Sequence, residues 1–201
     1  MKEFESKAEK TKQFILEKTA PVFNTRGYAG TSLTDLTKAT GLTKGSIYGN
    51  FENKDEVALA AFDYNFGLVK SYIQSKMAAT NGTAIDRLLV YPEVYRNYLK
   101  VPFLQAGCPI LNTSTEADDT HPRLREKAAH ALAFWKKSLE HIIKTGIDNK
   151  EIKADTNPTE FAVVLMSLIE GAFMQAKATG SMTAMRITMN YLERIILDLK
   201  R

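Results

Sequence analysis

Lys44, Ser46, Tyr48 and Asn50 fall within one seven-residue stretch, with Gly45 and Gly49 between them. This set suits the gripping of a nucleic acid rather than bond-making chemistry. An ammonium group reaches a phosphate or a guanine. A hydroxyl and a carboxamide hydrogen-bond bases or phosphates, and a phenol ring lies along the sugar-phosphate backbone. The glycines leave room for another backbone to come close. Groups that could support catalysis are scattered by comparison. His121, His130 and His141 have no cysteine or carboxylate cluster at metal-ligand spacing and read as surface or packing residues. The Glu126–His130 pair is an isolated i,i+4 couple. No nucleophile elbow, phosphate loop or dinucleotide fingerprint occurs. We therefore expect no enzyme, no metal and no cofactor.

Two short helices must position these groups. Spacing and punctuation place them at about Leu33–Thr40 and Lys44–Asn50, split by Gly41, which permits a left-handed stop. Ser32 is placed to cap the first, with Asp35 at its third position, and Thr43 to cap the second. Helices this short do not stand alone. They need each other and a preceding helix to bury Leu33, Leu36, Leu42, Ile47 and Phe51. The small Thr37, four residues before the glycine, lets them cross closely, which is the logic of a helix-turn-helix. Two glycines in one exposed helix cost about 2 kcal/mol of helix propensity. A bundle helix has little reason to accept that cost, whereas a helix that enters a groove does. The helix N-termini at Thr34 and Thr43 also offer N–H groups to phosphates.

The rest of the chain reads as helix too. A first helix spans about Glu5 to Arg26, with Ala8, Ile15, Thr19 and Val22 on one face, Phe4, Phe14 and Phe23 beside it, and Gly27 as its stop. Asn53 to Glu56 forms a capping box that opens a helix to about Ala79, broken by Asn81-Gly82. Further helices are expected at about Thr83–Lys100, bent at Pro92, at Ile110–Glu116, and from Pro122 to about Asn149. Another starts at Asn157-Pro158-Thr159-Glu160 and ends near Gly180, and Ser181 caps a last one. The expected fold is all-α with about nine helices: a three-helix helix-turn-helix domain over 1–52, then a larger bundle over 53–201.

The run from Arg26 to Val57 resembles the TetR family of transcriptional regulators. The matching pieces are Arg26-Gly27-Tyr28, Thr31-Ser32-Leu33, Asp35-Leu36, Ala39 to Tyr48, Phe51 and Asn53 to Val57. The resemblance implies a regulator, by family habit a repressor, whose dimer inserts its second short helices into successive major grooves of a palindromic operator. It implies DNA contacts at Thr34, Lys44, Gly45, Ser46, Tyr48, Asn50 and Lys54. The chain departs from the pattern at Thr37, where the family usually has Ala, and at Asn50, where it often has His or Tyr.

The last two helices are apolar on two sides. Met182, Met185, Met189, Leu192, Ile196 and Leu199 form one stripe of the final helix, and Ile187, Tyr191 and Ile195 a second. In the helix before it, Phe161, Leu165, Leu168 and Ala172 share one side, and Val163, Met166, Ile169 and Phe173 another. Such helices are buried on two sides, either in the middle of a monomer or between a core and a partner subunit. The resemblance implies the second, a four-helix homodimer interface, read here as Phe161, Leu165, Leu168, Ala172, Met185, Met189, Leu192 and Ile196, with Gly171 and Ala172 allowing close approach.

Phe62, Phe66, Tyr95, Tyr98, Phe103, Phe134, Trp135 and Phe173 are candidates to line a small-molecule effector pocket, or else plain core. Cys108, in Gly107-Cys108-Pro109, is either a further pocket residue and sensor of oxidants or electrophiles, or a small buried residue in a turn.

The 201 residues, 44% hydrophobic and 25% charged, suffice to bury a core without disulfides, which a single cysteine cannot form internally. Of the net +4, residues 1–54 carry +3, a modest support for a nucleic-acid partner. The charged N-terminus lacks the apolar region of a signal peptide, and we find no run of about 18 apolar residues. The expected location is cytoplasmic.

Overall fold

The computed structural model describes residues 6–80 and 82–201. Phe4, Glu5 and Asn81, which the sequence placed at a helix start and a helix break, lie outside them. Among the described residues there are nine α-helices and no strand. They are α1 (Lys7–Arg26), α2 (Leu33–Thr40), α3 (Lys44–Tyr48), α4 (Lys54–Ala78), α5 (Ala84–Arg96), α6 (Pro109–Ala117), α7 (Pro122–Asp148), α8 (Pro158–Thr179) and α9 (Thr183–Leu197). Single 3-10 turns at Tyr98–Lys100 and Pro102–Leu104 join α5 to α6. The all-α expectation holds.

Two compact units divide the chain, and neither is a continuous segment. One is Met1–Leu68 with Pro109–Ala129; the other is Val69–Cys108 with His130–Arg201. The first therefore extends past residue 52. Its core joins Ile15, Phe23, Leu36, Ile47 and Phe51 to Val57, Ala58 and Ala61 from α4. α4 and α7 each contribute residues to both units.

Local chemistry explains most boundaries. Ser6 and Glu9 make a reciprocal capping box at α1, and Ser32 and Asp35 make another at α2. Thr43 accepts the Ser46 N–H at 3.2 Å to start α3, and Asn53 accepts the Glu56 N–H at 3.0 Å to start α4. α3 is shorter than expected because Gly49 occupies its C-cap and Asn50 donates its side-chain amide to the Ser46 carbonyl at 2.9 Å. α5 stops at Arg96 rather than Lys100, four residues beyond Pro92, and the chain tightens into a 3-10 turn. Ser181 does not hold the cap position of α9, which falls on Met182; its hydroxyl still accepts the Thr183 N–H at 3.2 Å.

In the second unit, α9 packs against both α5 and α8. Met185, Met189, Leu192 and Ile196 on α9, and Leu165, Ile169, Ala172 and Phe173 on α8, are sealed from solvent in that core. α8 is long and apolar enough to cross a membrane by length and composition alone, although its buried side is core.

Candidate nucleic-acid interface

In the first unit α2 and α3 meet across Gly41, which takes the left-handed conformation (φ 70°, ψ 7°) and donates its N–H to the Thr37 carbonyl at 2.8 Å. Only glycine takes this conformation without strain. Ile47 and Phe51 pin α3 onto the core, and Leu33, Leu42 and Tyr48 pack against them. That burial fixes which side of α3 remains outward. Thr43, Lys44 and Gly45 are exposed, as is Thr34 at the start of α2, while Ser46, Tyr48 and Asn50 are half-buried. The eight residues read as DNA contacts thus fall on or beside one small surface, except that Asn50 already uses its amide within α3.

The cations are pre-placed. Lys44 Nζ sits 5.8 Å from the Tyr48 ring centroid and pairs with no carboxylate among the described residues. Lys54 Nζ lies 4.2 Å from the centroid of Tyr28, a cation–π contact that holds the ammonium in place without neutralising it. Tyr28 in turn donates its hydroxyl to Asp55, and that bond pushes its pKa to about 12. Arg26 reaches Asp35 at 2.5 Å and ties the end of α1 to the start of α2. Asp35 is held below the usual carboxylate range, first by the Ser32 hydrogen bonds and then by Arg26.

A second group of residues supports this surface and was not legible in sequence. The Glu116 carboxylate of α6 accepts the backbone N–H of Tyr28 and of Ala29, each at 2.8 Å. Asn112, one turn earlier, donates to the Asn24 carbonyl at 3.0 Å. Gly27 adopts φ 72°, and a β-carbon there would lie 2.3 Å from the Glu116 carboxylate. α6 thus clasps the turn between α1 and α2 from 88 residues away. Glu116→Ala removes an ionised acceptor from two backbone donors, which costs about 1–3 kcal/mol. We expect Tm to fall by about 2–4 °C for each of those kcal/mol, with Glu116→Gln falling less. Calorimetry of the two variants checks this.

The interface and pocket candidates divide differently. Leu165, Ala172, Met185, Met189, Leu192 and Ile196, read as dimer contacts, are 0–1% exposed within the single chain. They are core and cannot meet a partner; of that set only Phe161 and Leu168 remain partly open. The outward apolar residues are instead Val163, Val164, Met174, Ile187 and Tyr191. A shallow groove of about 390 Å³ on α8 and α9 includes Leu168, Ile187 and Tyr191.

Of the pocket candidates, Phe62 and Phe66 stack on each other in the first unit (6.4 Å between centroids). Tyr95, Tyr98, Trp135 and Phe173 form one aromatic cluster in the second, with Tyr95–Phe173 at 5.5 Å and Tyr98–Phe173 at 4.7 Å. Phe103 packs edge-on to Tyr72. Phe134 is 43% exposed beneath Lys70 and is a surface ring, not a pocket wall. Cys108 is buried. His121 is buried at the start of α7, where its Nδ1 accepts the Leu124 N–H at 3.2 Å; His130 and His141 are exposed. Among the described residues no three His, Cys, Asp or Glu side chains gather as a metal site would.

An all-helical chain with a capped helix-turn-helix and an outward, glycine-containing second helix defines a helix-turn-helix DNA-binding protein. Residues 15–61 match the family described as bacterial regulatory proteins, tetR family, and residues 84–192 match the tetracyclin repressor-like C-terminal domain. The chain belongs to the TetR family of transcriptional regulators, and its matched relatives are regulators rather than enzymes. The crystal structure of a TetR-family regulator from Cytophaga hutchinsonii is 51% identical and superposes with a TM-score of 0.93, covering 98% of each chain. Among curated proteins, the HTH-type transcriptional repressor DhaR of Mycobacterium sp. (strain GP1) is 27% identical, covering 83% of this chain and 82% of its own. The HTH-type transcriptional repressor NemR of Escherichia coli (strain K12) is 24% identical, covering 92% and 94%.

Proposed function

We propose that the protein is a repressor that binds a palindromic operator as a homodimer and leaves it when a small-molecule effector occupies the second unit. The observation that carries the DNA-binding part is α3 itself. Its apolar side is fixed on Ile47 and Phe51, and its outer side offers an unneutralised lysine beside glycine. Lys44 and Ser46 read or grip the DNA, Tyr48 lies along its backbone, and Thr34, Thr43 and Lys54 meet phosphates. Gly45 lets α3 approach closely, since a β-carbon there would meet only Thr43 Oγ1, at 4.0 Å. Asn50 contributes through its free carbonyl oxygen alone. The repressors DhaR and NemR among the relatives favour repression over activation.

For the dimer, the outward stripe of α8 and α9 supplies the partner face, and two copies of α3 one DNA turn apart match two half-sites. Tyr95, Tyr98, Trp135 and Phe173, with Cys108, are the apolar lining against which an effector would bind. Effector binding shifts the population between two dimer geometries. α4 is the natural carrier, because it starts at Lys54 and continues into the second unit. A gel shift on the DNA flanking the protein's own coding region tests the reading. A protein-dependent band that competitor operator removes is the expected result; no band at low salt overturns it. Gel filtration with light scattering tests the dimer directly.

A further inference from the structure

We propose that the second unit binds a lipophilic amine in its ammonium form, with the Glu170 carboxylate at the base of an α7–α8 groove as the counter-charge. This rests on the ligand-responsive reading above and names the class of ligand. Glu170 interrupts the most apolar helix of the chain, between Ile169 and Gly171. Both of its carboxylate oxygens are buried, and no nitrogen or oxygen donor lies within hydrogen-bonding distance. Its one hydrogen-bonding neighbour is the thiol of Cys108, a weak donor. A buried carboxylate lacking strong donors is costly to keep in a core and is ordinarily replaced by an apolar residue or paired. Here two acceptor atoms wait for N–H donors.

The groove over Glu170 holds about 400 Å³, within the range of small-molecule sites. Leu132 and Ala133 of α7 and Val163 and Met166 of α8 give it apolar walls, suited to the hydrocarbon part of an amine. The other charged lining group, Lys136, lies 3.9 Å from Glu140 on its own helix. Of the remaining titratable neighbours, Tyr95 is pushed well above its ordinary range, mainly by burial and in part by Glu170, and so stays neutral. Lys177 donates to the Ala106 carbonyl at 3.0 Å. Burial pushes the Glu170 carboxyl up to about 7. An arriving ammonium favours the ionised form and displaces a proton. A neutral acceptor ligand would instead favour the protonated form, so the two classes respond to pH with opposite sign.

The test is calorimetric titration of the full-length protein with 2-phenylethylamine and with 2-phenylethanol, its near-isosteric neutral counterpart. At pH 8 the amine is expected to bind at least about tenfold more tightly than the alcohol, the size of a single charge-assisted contact. Glu170→Gln is expected to abolish that preference. In the wild type, amine affinity is expected to fall about tenfold per pH unit below 7, as a proton competes for the carboxylate. Equal affinities, no amine binding, an unchanged preference in Glu170→Gln, or tighter amine binding at pH 6 overturns the proposal. If Glu170→Gln does not fold, the wild-type pH profile decides. Operator release is scored separately. An amine that binds through Glu170 without freeing DNA leaves this site standing and overturns the effector reading. Release by other compounds, with no amine binding, does the reverse.

Discussion

Lys44→Ala is expected to lower operator affinity by about a hundredfold or more while leaving Tm and the oligomeric state unchanged. A lysine that reads guanine or grips phosphate contributes about 1–3 kcal/mol per contact, and a symmetric dimer makes the contact twice. The combined loss is then about 2–6 kcal/mol, or roughly thirty- to ten-thousandfold. Stability is spared because Lys44 is exposed, and its only described contact is the Tyr48 ring at 5.8 Å. The salt dependence separates the two roles. If Lys44 grips phosphate, the slope of log affinity against log salt flattens by about 2, one counterion per copy. If it reads a base, the slope holds and specificity relaxes. Tyr48→Ala also loses binding, but Tyr48 packs on the headpiece core and its Tm falls as well. Fluorescence anisotropy on a fixed operator, read beside a melting curve, decides between these outcomes. A Lys44→Ala protein that binds like the wild type removes α3 from the interface.

The helix-turn-helix was legible because every signal that makes it is local. Ser32 and Asp35 are three residues apart, Thr43 caps its own helix, and Gly41 ends the helix it follows. Such bonds form wherever that short sequence stands, so α2 matched its expected span at both ends. The one misjudged boundary there, the end of α3, turned on a side chain: Asn50 bonds back to Ser46 instead of extending the helix. What could not be read is which of two chemically similar stripes looks inward. On α9, Met185 and Ile187 are comparable apolar residues two positions apart, yet one is sealed and the other 62% exposed. The difference comes from α5 packing on α9, a contact between segments about a hundred residues apart. The Glu116 clasp was hidden for the same reason, since its partners are backbone N–H groups with no side-chain signature. Glu170 did leave a trace, a carboxylate in an apolar helix. It was passed over because an i,i+3 and i,i+4 pattern of apolar residues draws attention to what surrounds the exception.

Gly171→Leu is expected to convert the dimer to a monomer and to weaken operator binding by about a hundredfold or more. A β-carbon at Gly171 meets nothing within 4 Å in the single chain, so the protomer's own packing does not require a glycine there. Its cost in a helix interior is about 1 kcal/mol relative to alanine, and an outside helix arriving at that point accounts for it. Val164 and Leu168, one and two turns earlier, share its side of α8. Ile187 and Tyr191 of α9 line the same groove as Leu168. Two such faces pack at about 8–10 Å between axes only where side chains are small. A leucine therefore acts with opposite signs. It raises helix propensity in the isolated protomer and forces the partner away in the dimer. Loss of the second half-site contact removes the effective-concentration gain of a bivalent binder, roughly a hundred- to ten-thousandfold. Sedimentation equilibrium gives the mass and anisotropy the affinity, with Gly171→Ala as the milder step. A Gly171→Leu protein that remains a dimer with wild-type operator affinity would place the subunit interface elsewhere. In that case the exposed Val164, Ile187 and Tyr191 would need another partner.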